Sequence, residues 1–189
     1  TSGASYMAIT ALLSAQQRPD AVKAVFAVVP LGDAQRGIVG TGGLINGVFM
    51  KTWMTLTQML GTQNILAKIL HPQHAHQIDQ STLEHIDHVD EYYLPLLDDA
   101  LNGASYIRYD GDFWRTRSPI ENIDTITAPT FITGALHDIF QRDAPLLYEA
   151  LQKNVDSRLA IYDSDHMMNI LQASSHRQLF SDINGNQLS

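Results

Sequence analysis

The chain opens TSGASYMAIT, which sets Ser5 between small residues and just ahead of an apolar, helix-forming run. Small neighbours let a backbone turn sharply from strand into helix, holding a hydroxyl above a sheet edge where the helix N-terminus can serve an oxyanion. A serine hydroxyl is a weak nucleophile until a neutral imidazole takes its proton, and that imidazole needs a carboxylate to fix its tautomer. Both partners follow in the order Ser, Asp, His. Asp138 stands in GALHDIF directly after the strand-like PTFIT, and His166 stands in YDSDHMMN directly after RLAIY. Each therefore falls where a strand ends and a loop begins, as the chemistry requires. The plainer readings are a turn or cap residue for Asp138 and a solvated loop histidine for His166; order and placement favour the chemical ones. The backbone N–H of Tyr6, first after the nucleophile, is the candidate oxyanion donor.

The elements that must position these groups can be read around them. From Tyr6 to Gln17 the sequence YMAITALLSAQQ is a helix former, closed by Arg18-Pro19-Asp20. From Ala21 to Pro30, AVKAVFAVVP is a nearly continuous Val-rich run, expected as a strand buried on both faces of a parallel sheet. Leu31 to Ser118 carries helical periodicity and no convincing strand, and is expected to be a helical insertion. From Pro119 the sheet-like pattern resumes, with a short strand at Thr130 to Thr133, a helix from Asp143 and a further strand from Ser157. The expected division is a core of residues 1–30 and 119–189 around an insertion of residues 31–118. Helix and strand alternate as in α/β architecture.

The tetrapeptide GASY returns at Gly103 to Tyr106, which raises the question of which serine is chemical. Ser105 follows the helix-like YLPLLDDAL and an Asn-Gly stop and leads into the polar IRYDGD, so it reads as a helix exit. Ser5 alone has the helix and buried strand that an elbow needs as its sequel.

Composition narrows the partners. With a net charge of −8 among 189 residues and a pI near 5.3, the chain lacks the basic face that nucleic acid or an anionic membrane would require. It has no cysteine, so thiolate catalysis and disulfides are excluded. No apolar run approaches the roughly 20 residues of a bilayer span. His71, His74, His76, His85 and His88 lie among acidic residues in a polar stretch that reads as a solvated surface rather than a metal site. His137 adjoins Asp138 and is expected at the rim. Phe49 and Trp53 sit on an apolar helix stripe, where core packing is the default.

Taken together, GASYMA, the segment YDGDFWRTRSPIENIDTITAPTFITGALHDIF and the downstream histidine resemble the CocE/NonD hydrolases, which include bacterial cocaine esterase, X-prolyl dipeptidyl peptidase and α-amino-acid ester hydrolases. The resemblance runs from Ser2 to about His166. It implies an α/β-hydrolase core with a helical cap between two core strands, and serine-dependent hydrolysis of a carboxylic ester or amide through an acyl-enzyme, with no cofactor. Ser5 maps to the nucleophile, Asp138 to the acid and His166 to the base. Phe140, Trp53 and Phe49 map to the substrate pocket, and the second oxyanion donor to a tyrosine upstream. Departures are Ala8 for the usual glycine and Tyr162-Asp163-Ser164-Asp165 for the Gly-Pro-Trp common before the histidine. The family also carries strands before the elbow and a β-rich domain after the triad. The chain is accordingly expected to be a fragment whose strand at Ala21 to Pro30 lacks a neighbour, so that it forms a homo-oligomer or aggregates through an open sheet edge. The competing expectation is a non-catalytic piece that needs a partner to supply the missing strands.

Overall fold

The computed structural model describes residues 1–62 and 64–172, so the expected core segment beyond 172 lies outside the described residues. It has a four-stranded parallel sheet in the order β1-β2-β3-β4, built from β1 (Ser2–Ala4), β2 (Val25–Val28), β3 (Thr130–His137) and β4 (Ser157–Asp165). Parallel neighbours need crossovers, and α1 (Tyr6–Gln17) and α8 (Asp143–Leu151) supply the first and last. The fold class is α/β, as expected.

Period-two alternation assigns the faces of the sheet. Val25 and Ala27 of β2 and Ile132 of β3 join Ala8, Leu12 and Ala15 of α1 and Leu147 and Leu151 of α8 in one core. Phe26 and Val28 turn to the other face with Ala135, and there Phe26 stacks on Phe131 with centroids 5.3 Å apart. That is why the β2 run is apolar at every position. Leu12, Ile132, Leu147 and Leu151 are fully buried, each contributing roughly 2 kcal/mol from removal of apolar surface from water.

The strand expected over Ala21 to Pro30 is shorter than its apolar run. Ala21 and Val22 still donate to the Arg18 carbonyl as the chain leaves α1, and Val29 takes a positive φ of 44° that ends the extended geometry. Nor does β2 lack a neighbour on the elbow side. Ser2, Gly3 and Ala4 pair with Phe26, Ala27 and Val28, so β1 covers that edge. The third and fourth strands are longer than expected, because pairing continues past Thr133↔Ala160 to Ala135↔Tyr162 and, after a register shift, to His137↔Asp165.

The described residues divide into two compact units, one of residues 1–38 with those from 111 onward, the other of residues 39–110. The boundaries expected at residues 30 and 119 thus lie at 38 and 111. Leu31, Asp33, Ala34 and Ile38 are buried, the Ala34 N–H donates to Ser118 Oγ, and the Ile120 N–H donates to the Gly32 carbonyl, which ties these flanks to the sheet-bearing unit. The inserted unit is helical, with α2 (Gly47–Thr62), α3 (Ile65–Leu70), α4 (Ala75–His88), α5 (Leu94–Asn102) and α6 (Ser105–Arg108); α7 (Asp112–Arg115) opens the return segment. Within the insertion the Tyr93 hydroxyl bonds the Met54 carbonyl of α2, and Asn64 Nδ2 donates to Thr82 of α4. Among the described residues no helix is long and apolar enough to cross a membrane.

Candidate active site

Three strands end at one edge of the sheet, and each delivers one polar side chain there. Ser5 follows β1, with φ 55° and ψ −123°, a conformation that non-glycine residues rarely adopt and that a strand-to-helix elbow imposes. Its N–H donates to the Val28 carbonyl at 2.9 Å, anchoring the turn to β2. A serine before a helix commonly bonds its first turn, but Ser5 makes no such cap bond; its hydroxyl turns to His166 instead. Gly3 makes the turn sterically feasible. A Cβ there would stand 2.1 Å from the Met7 carbonyl oxygen, so α1 can return this close to β1 only over a glycine.

Asp138 follows β3 with its side chain 1% exposed, and one carboxylate oxygen accepts the Phe140 N–H at 2.7 Å. His166 is the first residue of α9 (His166–Leu171), directly after β4, rather than the loop residue expected. The Asp165 carboxylate caps that helix by accepting the Met168 N–H at 2.8 Å. His166 Nδ1 lies 2.8 Å from Asp138 Oδ1, and Nε2 lies 2.7 Å from Ser5 Oγ. A carboxylate can only accept, so Nδ1 carries the proton; Nε2 is then the acceptor and the Ser5 hydroxyl the donor. The rings of Phe140 and His166 stand nearly perpendicular, at 86°, as a T-shaped pair with centroids 5.1 Å apart.

Tyr6 opens α1, so its N–H has no acceptor within the helix and is free of that claim to serve an oxyanion. The structure thus brings Ser5, Tyr6, Asp138, Phe140 and His166 together. Phe49 and Trp53 lie one turn apart on α2 of the inserted unit, with rings parallel at 6.2 Å. Ser105 begins α6 in that same unit, after a left-handed Gly103 closes α5. His137 is exposed and pairs with Asp163 at 3.1 Å, away from the Asp138 carboxylate.

The model of the X-Pro dipeptidyl-peptidase (S15) family matches residues 1–168. The chain belongs to that family. The CocE/NonD hydrolases it resembles in sequence fall within the same family. No curated protein matches the chain by sequence. Among solved structures it is similar to dipeptidyl peptidase 4 of Porphyromonas gingivalis, at 16% identity and a TM-score of 0.53 over 95% of this chain and 18% of that one. Similarity to the Pyrococcus horikoshii acylaminoacyl peptidase gives 13% identity and a TM-score of 0.55, over 99% of this chain and 23% of that one. A puromycin hydrolase gives 16%, 0.51, 97% and 22% for the same measures. The chain spans less than a quarter of the length of these three. At such identities the likeness shows the fold, the α/β-hydrolase fold of peptidases and esterases.

Proposed function

We propose that the S15-family chain hydrolyses a carboxylic ester or amide through an acyl-serine intermediate. The observation that carries this reading is the unbroken line of hydrogen bonds from Ser5 Oγ through His166 to Asp138, at 2.7 and 2.8 Å. As Ser5 Oγ bonds to the substrate carbonyl carbon, its proton passes to His166 Nε2 and the carbonyl oxygen becomes an oxyanion, towards which the Tyr6 N–H donates. Asp138 stabilises the imidazolium without taking its proton. The imidazolium then protonates the leaving alcohol or amine as its bond to the acyl carbon breaks. Water repeats the sequence and frees the acid. The membership of a peptidase family and the peptidase and hydrolase names of the structural neighbours are in keeping with this chemistry.

A fluorophosphonate probe on the natural full-length polypeptide, followed by peptide mapping, tests the assignment without knowledge of the substrate. Label is expected on Ser5 and not on Ser105. Label on Ser105, or none on folded protein, refutes it.

A further inference from the structure

The helix that begins with His166 has only six residues, too few to be stable alone, so tertiary contacts decide where its first side chain points. Asn169 is the one buried residue of α9, with no exposed surface, and it lies close to one helical turn beyond His166. Its partners fix the orientation of its amide. The Gly134 carbonyl can only accept, so Nδ2 faces it at 3.2 Å and also reaches Ser164 Oγ at 3.3 Å; Oδ1 is left to accept the Thr133 hydroxyl at 3.0 Å. Thr133 is itself wholly buried in β3, and its carbonyl accepts the Val29 N–H. The preceding residue, Val28, accepts the N–H of Ser5. A single frame of hydrogen bonds and backbone therefore runs from the helix that carries the imidazole, through β3 and β2, to the serine, while β3 itself continues to Asp138.

We propose that Asn169 and Thr133 are positioning residues for the hydrolysis described above. By bonding two consecutive residues of β3, the Asn169 amide fixes the register of α9 along that strand, and so holds the His166 imidazole within reach of Ser5 and Asp138 at once. This inference rests on the proposed reaction. A buried amide costs free energy unless its polar atoms are bonded, and an aliphatic side chain of similar volume would fill the space without that cost. What the amide adds is direction: an apolar contact tolerates sliding, whereas these three bonds do not.

Thr133→Val removes the hydroxyl at nearly constant volume, and Thr133→Ser restores it. With an activated ester and the natural full-length polypeptide, kcat of Thr133→Val is expected to fall about 10- to 100-fold, the scale of a small misplacement of a catalytic group. KM should change by less than about twofold, since the loss falls on the chemical step. Thr133→Ser is expected to recover most of kcat. The downfield proton resonance of the His166 Nδ1–H is expected to broaden or vanish in the valine variant and return in the serine variant. A merely structural role would lower the melting temperature and leave kcat and that resonance of the folded protein unchanged, and this result overturns the inference. If Thr133→Val does not fold, Asn169→Ala is judged by the same two readouts. The outcomes separate from those of the proposed function: wild type unlabelled at Ser5 refutes the reaction, whereas labelled wild type with an unimpaired Thr133→Val refutes only the positioning role.

Discussion

Asp143 opens α8 with almost no exposed surface, and its environment makes the stability of the fold depend on pH in a stated direction. One carboxylate oxygen accepts the Asp33 N–H at 3.0 Å, while Oδ2 is buried without a hydrogen-bond partner. Burial pushes the carboxyl up from 3.8 to about 6; the nearby Asp33 carboxylate adds to the rise, and the Asp33 and Gly32 N–H groups and the Arg142 guanidinium oppose it. A rise of about two units corresponds to about 3 kcal/mol. The folded state keeps a proton that the unfolded chain has released, so this stability is present below the unfolded value of 3.8 and is lost as pH rises through about 6. Asp143→Asn keeps the acceptor for Asp33 and stays neutral at every pH. Urea unfolding of both proteins at about pH 4 and about pH 8 should give nearly equal stabilities at the lower pH and an advantage of about 2 to 3 kcal/mol for the variant at the higher. Taking the difference between the two proteins cancels the other titrating groups. A difference that stays flat across this range, or shrinks as pH rises, refutes the argument that the buried carboxyl is held protonated.

Two further predictions concern the site itself. His166→Ala and Asp138→Asn should each lower kcat on an activated ester by about three orders of magnitude or more while the circular dichroism spectrum is retained. Asp165→Asn, which alters only the cap of α9, should cost at most about 1 kcal/mol of stability and far less activity; the reverse pattern would mean that the wrong carboxylate has been assigned. Gly3→Ala places a methyl against the Met7 carbonyl and should destabilise the protein by about 3 kcal/mol or more and slow probe labelling of Ser5. An unchanged melting temperature together with an unchanged labelling rate would show that α1 does not need this close approach.

What could be read from the sequence was whatever depends on local order. The helix from Tyr6 to Gln17 has the observed bounds because both of its ends carry their own signals, the elbow before it and Arg18-Pro19 after it. The Val-rich run gave the double-sided burial of β2, because a strand covered on both faces has no polar alternation. That Ser5, Asp138 and His166 would meet was legible because a parallel sheet brings the ends of distant strands to one edge, so strand-end position substitutes for knowledge of contacts. Strand length was not legible in this way. β3 and β4 extend each other by pairing, and neither sequence alone encodes how far its partner continues. The same reason hides β1: three residues acquire strand geometry only because β2 pairs with them. The polar framework was hidden more deeply. Asn169 lies 36 residues from Thr133, and Asp143 lies 110 from Asp33, in segments where an Asn near a helix end or an Asp in a first helical turn is ordinarily solvated. Nothing in either residue's neighbourhood distinguishes a surface cap from a buried anchor. The one available signal is negative: α9 is too short to hold itself, so a helix beginning at His166 must be tied down by something, and its single asparagine is the side chain able to do so with direction.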